Sequence, residues 1–333
     1  MQRITNVLQL VLRRVDSLKF PAGNRGRLRV IYYHRVLPEA DPILADGTVA
    51  RVFDVHMSVL RRQFNVLALD DAVSLLKRGE LPERAVAVTF DDGYSDNFTV
   101  ALPILQRWGL PATFFVATGF LDGGCMWNDR LIEAVRQIRG SAIDLRPLGL
   151  GESIEVTTPD QRRHLIGTVI GQMKYLDPVE RMRKVDEFVG HVGAGVPKDM
   201  MMTSANVREL ARAGMQIGGH TRTHPILARL SDDEAREEIA GCKRELEAIT
   251  GKTVDLFAYP NGKPDQDYGH RDVRLVKEAG YVAAFTTAPG AAIMSGDMFQ
   301  LPRFGSWDAT PTRFNVRLMI ADAGPGNRVT HSG

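Results

Sequence analysis

Cysteine is nearly absent: only Cys125 and Cys242 occur in 333 residues. Such a pair is too small for a disulfide framework, and the scarcity suits a reducing compartment. Long apolar runs are missing too. No stretch approaches the roughly 18 apolar residues of a membrane span. The short apolar run Val7-Leu8-Gln9-Leu10-Val11-Leu12 is cut off at once by Arg13 and Arg14. No small-residue cleavage site follows it, so a secretory signal is not expected. Neither charge sign dominates, and a net charge of +2 gives no reason to expect nucleic acid or an acidic partner. Internal repeats and low-complexity segments are lacking. These exclusions leave a globular chain, 44% hydrophobic and 25% charged, long enough to bury a large core as one α/β domain or two. Residues 4–19 have the pattern of an amphipathic helix, which either packs on the domain or makes peripheral contact with a membrane through Arg13, Arg14 and Lys19. The expected location is cytoplasmic or membrane-apposed.

The chain alternates strand and helix patterns. Leu28 to His34 reads as a first core strand, followed by a loop over 37–50. His56 to Phe64 reads as a helix, Val66 to Leu69 as a short strand, and a further helix starts at Asp70 or Asp71 as its cap. Val86-Ala87-Val88-Thr89-Phe90 is a continuous apolar run, the mark of a strand buried on both faces, and it stops at Asp91-Asp92-Gly93. Asn97 to Trp108 has helical spacing and ends at Gly109; Ala112 to Val116 is another strand. Residues 119–200 break the rhythm, with helical patterns over 131–138 and 161–189 and an irregular stretch over 140–157. Alternation then resumes, with strands over 215–219, 254–259, 281–285 and 299–302. Ser231-Asp232-Asp233-Glu234 has the form of a capping box. Such alternation implies parallel strands joined by right-handed crossovers. Seven or eight strands suit a distorted (β/α)7-type barrel with a mainly helical insertion. The expected organisation is an N-terminal helical extension over 1–27, one barrel over 28–320 with 119–200 inserted, and a flexible tail over 321–333.

In such a barrel, functional groups collect at the C-terminal ends of the strands. The strand assignments bring His34, Asp91, Asp92, His220 and the run Pro260-Asn261-Gly262 to one rim. Asp-Asp-Gly alone also describes a solvated turn with a helix cap, so the histidines decide its meaning. His220 and His224 are four apart, which on a helical turn puts both on one face within reach of one metal ion. Two His and one Asp make a facial triad with open positions for water and substrate. With Asp92 as third ligand, Asp91 becomes a free carboxylate beside a dication, placed to accept a proton from water.

Thr89-Phe90-Asp91-Asp92-Gly93 followed by His220-Thr221-Arg222-Thr223-His224-Pro225 resembles the first two motifs of the polysaccharide deacetylases, the carbohydrate esterase family with the NodB homology domain. The resemblance covers roughly residues 28–303. It implies a distorted (β/α) barrel and metal-dependent hydrolysis of N-acetyl groups on amino sugars. It also implies Asp91 as catalytic base and Asp92, His220 and His224 as ligands of a divalent metal, zinc first, with cobalt, nickel or manganese as substitutes. The family's third motif, Arg-x-Pro-Tyr, is replaced by Ala258-Tyr259-Pro260-Asn261-Gly262. The arginine that normally steadies the base is missing there. The Asn261 N–H can still donate to an oxyanion, and Arg303 is the candidate to steady Asp91. No histidine follows near the C-terminus except His331. Tyr32-Tyr33-His34 instead resembles the circularly permuted branch acting on poly-N-acetylglucosamine, in which the general-acid histidine comes from the first strand.

Tyr94, Trp127 and Trp307 are candidates to stack on sugar rings, with Tyr259 and Pro260 beside them in the third motif. Asp96 and Asn97 read as a cap or brace for the following helix, and His56 and His270 as surface or loop residues. The expected partner is an N-acetylated saccharide. A small non-sugar amide as substrate, or carbohydrate binding without catalysis, are the competing expectations. The oligomeric state is not readable from the chain.

Overall fold

The computed structural model describes residues 26–44, 47–305, 308 and 310–320. The expected N-terminal helix over 4–19, Trp307, His331 and the tail after 320 lie outside them.

Nine strands form one sheet: β1 Arg27–Tyr33, β2 Asn65–Val66, β3 Ala85–Phe90, β4 Thr113–Val116, β5 Gln216–Gly219, β6 Leu256–Ala258, β7 Ala283–Phe285, β8 Ala292–Ile293 and β9 Phe304–Gly305. Their order is β7-β6-β5-β4-β3-β1-β8, with β2 on β3 and β9 on β1. Only the β1–β8 pairing is antiparallel. The sheet curls into a partial barrel backed by helices. The segment after residue 300 bridges its open side: Leu301 pairs with Phe285 of β7, and Phe304 and Gly305 pair with Ile31 and Tyr32 of β1. Every residue of β3 is buried, as a strand between two parallel neighbours requires.

The helices are α1 Ala50–Gln63, α2 Leu69–Arg78, α3 Leu102–Trp108, α4 Trp127–Gln137, α5 Pro159–Met173, α6 Pro178–Val192, α7 Ser204–Arg212, α8 Asp232–Arg236, α9 Cys242–Thr250, α10 His270–Glu278 and α11 Pro311–Ile320. Among the described residues none is long and apolar enough to cross a membrane. Gly109 ends α3 in the left-handed conformation (φ 61°) that glycine accepts without strain, and Ser231 and Glu234 close the expected capping box at α8.

Several local expectations change. The helical pattern over 161–189 is two helices, because Asp177 accepts the Val179 and Glu180 N–H groups and Pro178 begins α6. The stretch 140–157 contains an antiparallel pair, Ala142–Asp144 with Ser153–Glu155. Within 37–50, Val36–Leu37 pairs with Thr48–Val49. Leu69 starts α2, so Asp70 and Asp71 lie in its first turn and face the helix dipole rather than cap it. Over 299–302 only Leu301 makes a bridge, and the strand proper comes later, at β9.

α4, α5 and α6 bury their own apolar cluster, including Leu131, Val135, Leu165, Val169, Val185 and Phe188. The rest of the described chain packs around the sheet. Arg136 pairs with Asp41 at 2.6 Å and joins this helical unit to the loop after β1.

Candidate active site

β1, β3, β5 and β6 run parallel, so their C-terminal ends share one rim. His34 leaves β1 there, and its carbonyl accepts Asn97 Nδ2 at 2.8 Å. Asp91 leaves β3, with its N–H donating to the Tyr33 carbonyl at 2.8 Å. Asp92 follows with φ 78°, a left-handed conformation that costs a non-glycine residue energy and turns its side chain away from that of Asp91.

Gly218 and Gly219 set the position of His220. A Cβ at Gly218 would fall 2.4 Å from the Phe115 ring, and one at Gly219 would fall 2.2 Å from the Tyr281 hydroxyl. The strand can therefore lie against both rings only as glycine. The expected helical turn from His220 to His224 is absent. Thr221 and His224 have φ of 63° and 53°, and the chain turns back through a loop instead. Glu238 holds that loop by accepting the N–H groups of Arg222 and Thr223, each at 2.8 Å, and the Thr223 hydroxyl at 2.7 Å. The Thr221 hydroxyl accepts the His224 N–H at 3.1 Å.

The loop brings both imidazoles onto one oxygen. Asp92 Oδ1 lies 3.4 Å from Nε2 of His220 and 3.4 Å from Nε2 of His224. It is buried and has no hydrogen-bond partner. Two ligands of a tetrahedral site, each about 2.1 Å from a metal, stand about 3.4 Å apart. His220 Nδ1 lies 2.7 Å from the Ala258 carbonyl, which can only accept, so Nε2 is left with its lone pair. An orphaned carboxylate oxygen facing two such nitrogens is a donor set that fits a divalent cation, and these three residues could hold one.

The electrostatics differ across the group. Burial works to raise the Asp92 pKa, but the two histidines and His34 overcome it and hold the carboxyl well below its usual range. Burial disfavours the charged form of His220, yet Asp92 and Asp91 bring a net rise. His224 goes the other way, pushed down to about 4 by burial and by His220. The two rings lie at the same distance from Asp92 Oδ1 yet shift in opposite directions.

Asp91 is held by a different partner. Arg303 donates from Nη1 to Oδ1 at 2.7 Å and from Nη2 to Oδ2 at 2.8 Å. Both side chains are almost fully buried. Burial alone would raise the Asp91 pKa; the guanidinium outweighs it and lowers it. Arg303 is itself fixed by the Thr286 carbonyl (3.1 Å) and lies 5.0 Å over the Tyr32 ring and 5.4 Å over that of Phe115.

A cavity of about 660 Å³ opens over this rim. His34, Asp91, Asp92, His220, His224 and Asn261 line its sheet side, and Trp127, Asp129, Ile166 and Arg181 line the opposite wall. Asn261 has φ 58°, and its carbonyl accepts the Thr287 hydroxyl at 2.6 Å. Trp127 faces the cavity with the Arg181 guanidinium 5.0 Å over its ring. Tyr94 lines it too, but its hydroxyl is committed to Asp129 Oδ2 at 3.0 Å. Tyr259 is fully buried, stacked on Tyr268, with its hydroxyl donating to the Phe299 carbonyl at 3.0 Å. Pro260 is buried, and its carbonyl accepts the Gly262 N–H at 2.6 Å.

Three expectations change here. Asp96 does not cap the following helix: its carboxylate accepts Arg35 Nε at 2.8 Å and the Val36 N–H at 2.9 Å, while Asn97 reaches back to His34. Together they brace the end of β1. His56 is buried rather than superficial, between the Tyr33 hydroxyl and the Asp308 carbonyl and stacked on Phe314. Two residues had no sequence signal, Glu238 and Asp129. Asp129 is buried, and loss of solvent raises its pKa to about 7 against the pull of the Tyr94 hydrogen bond.

The family model described as polysaccharide deacetylase matches residues 78–144 and 175–284. YxkH of Bacillus subtilis (strain 168), whose name marks it as a candidate polysaccharide deacetylase, is 23% identical over 284 residues, covering 84% of this chain and 71% of that protein. The poly-beta-1,6-N-acetyl-D-glucosamine N-deacetylase of Escherichia coli (strain K12) is 37% identical over 101 residues, 28% of this chain and 14% of that protein. Among solved structures, Streptococcus pyogenes deacetylase PplD in complex with acetate superposes with a TM-score of 0.59 at 18% identity, covering 88% of this chain and 98% of that one.

Proposed function

The chain belongs to the polysaccharide deacetylase family of amide hydrolases, and on that premise we propose that it removes N-acetyl groups from amino sugars of an exopolysaccharide, a lipopolysaccharide or their lipid- or nucleotide-linked precursors. One observation carries this reading. Two adjacent carboxylates have been given separate environments, Asp91 in a bidentate pair with buried Arg303 and Asp92 facing two imidazole nitrogens. Binding a saccharide needs no such division, whereas hydrolysis needs a free base beside an electrophilic centre.

Asp92, His220 and His224 would hold the metal, with zinc suited to this nitrogen and oxygen set. When bound, it would supply Lewis-acid polarisation of water and of the acetyl carbonyl. Asp91 accepts the proton of the attacking water. Arg303 keeps Asp91 ionised at neutral pH and fixes both of its oxygens, filling the place of the arginine missing from the third motif. The Asn261 N–H donates to the oxyanion as the carbonyl becomes tetrahedral. His34, held at its carbonyl by Asn97, gives its proton to the sugar nitrogen as the C–N bond breaks, and acetate and the free amine leave. Trp127 offers an aromatic face to the sugar ring, whereas Tyr94, buried with Arg35 over its ring, braces the wall beside it.

The test is mass spectrometry of N-acetylated glycans before and after incubation with the protein, with Asp91→Asn as the matched control. The expected outcome is loss of acetyl groups and release of acetate, abolished in the variant. Near-full turnover by Asp91→Asn would remove Asp91 from the role of base.

A further inference from the structure

The two walls of the cavity differ in how their charges are met. On the sheet side Asp91 has Arg303, and Arg35 has Asp96. On the helical side Arg181, in the first turn of α6, is only 7% exposed. Its Nε has no hydrogen-bond partner, and Nη1 reaches only the Lys174 carbonyl at 3.3 Å. No carboxylate lies within 4 Å of it among the described residues. Burial lowers its pKa, with only Asp177 acting against that.

Two more cations line the same end of the cavity, Lys174 and Lys263. They come from facing segments, which touch where Gln266 donates to the Tyr175 hydroxyl. Among the described residues neither lysine forms an ion pair. The carboxylate of Asp267 is near enough to be influenced by both, but is engaged with the Lys263 backbone N–H at 3.0 Å. Three cations thus outnumber the two carboxylates that act on them, Asp177, which caps α6, and Asp267, beside an apolar strip of Ile132, Ile166 and Ile170. A guanidinium cannot shed its proton, so burying it without a counter-ion is costly unless a ligand supplies the charge.

We propose that Arg181, Lys174 and Lys263 form an oxyanion subsite, which receives a carboxylate or phosphate borne by the saccharide next to the N-acetyl sugar being hydrolysed. This rests on the deacetylase reading and narrows its substrate to an anionic glycan or glycosyl phosphate. The planar fork of Arg181 suits either oxyanion, and a neutral homopolymer would leave the trio's excess positive charge unmatched.

Titration calorimetry with the full chain separates the sources using three probes: N-acetylglucosamine, its 1-phosphate, and a disaccharide of glucuronate and N-acetylglucosamine. At least one anionic probe should bind about tenfold or more tightly than the neutral sugar. The phosphate and carboxylate arms identify which group the site takes. Arg181→Gln should erase the preference. Because Arg181 is buried, the double variant Lys174→Gln with Lys263→Gln provides a second check on a half-buried and an exposed residue, with an expected loss of about threefold or more. Arg183→Gln removes the same charge from α6 at a surface pair with Glu187 and should leave the preference intact. Equal affinity for all three probes, or a preference that survives both the Arg181 and the double-lysine variants, overturns the subsite. Acetate release decides the other question: turnover without anionic preference sinks the subsite alone, and preference without turnover on any N-acetylated glycan sinks the deacetylase reading alone.

Discussion

On the sheet side of the cavity, Asp91 and Arg303 are both buried and complete each other's charge; on the helical side Arg181 is buried to nearly the same degree with no carboxylate within 4 Å among the described residues. Both arrangements would be expensive if left unsolvated and unmatched. The sheet side has solved the problem internally, which suits groups that must keep one geometry through a reaction. The helical side has left it open, which suits a wall whose counter-charge arrives with a ligand. Chemistry and selectivity can thus be assigned to different structural units, one built on strand ends and one on a separately packed helical core.

The largest effect expected on this contrast comes from the sheet side. Asp91→Asn keeps the shape but removes the charge, and turnover should fall at least about 10²–10⁴-fold while metal content is unchanged; acetate-release rates and elemental analysis of the same sample check both halves. His220→Ala should abolish metal binding, read as metal content at background after dialysis, with activity lost in step and wild-type activity lost on chelation. Arg303→Met would make the two walls alike by stranding a buried carboxylate. Removing one partner of a buried pair costs about 3–5 kcal/mol, visible as a lower denaturation midpoint. The pH dependence follows with its sign. Asp91 has a depressed folded pKa, so the pair contributes stability above the unfolded carboxylate range, near pH 4, and loses it as pH falls through the folded value. In Arg303→Met nothing offsets burial to the same extent, so that acid-side loss should shrink or change sign; an unchanged acid limb would mean that Arg303 does not hold Asp91.

Smaller effects probe the supports. Glu238→Ala frees the loop carrying His224 and should weaken metal affinity about 10–100-fold without touching a ligand, measured by competition with a chromogenic chelator. Asp129 has the opposite sign to Asp91. Its folded pKa is raised to about 7, so stability is lost as pH rises from the unfolded carboxylate range through about 7. Asp129→Asn should therefore gain stability above pH 7, by at most about 4 kcal/mol. Denaturation midpoints of the two proteins that run parallel across pH 5–8 would contradict a buried, neutralisable Asp129.

The sites legible in the chain were those with short-range signals. A wholly apolar β3 ending in Asp91-Asp92-Gly93 is local information, because a strand covered on both faces needs every side chain apolar. The pairing of His220 with His224 was visible in the spacing, but its geometry was not. The four-residue interval suggested a helical turn, whereas two left-handed residues and Glu238, from a helix packed alongside, fold it as a loop. The split between α5 and α6 had a local signal at Asp177-Pro178 that the long amphipathic pattern obscured. His56 looked superficial because polarity is a poor guide to burial once two hydrogen bonds satisfy the ring.

The sequence by itself determined the alternation of strand and helix, the strand end that carries the two aspartates, and the identity of the groups that could meet there. Those depend on periodicities of a few residues and on side-chain chemistry, both carried by the chain locally. Only the tertiary structure decided that Arg303, from the segment bridging β7 to β1, is the partner of Asp91 at 2.7 and 2.8 Å, some 212 residues away. Only it decided that Arg181 comes to the cavity with no carboxylate within 4 Å among the described residues. Charge pairing acts through space at a few ångströms, and which distant side chains share that distance depends on how the sheet curls and where the helical unit packs against it.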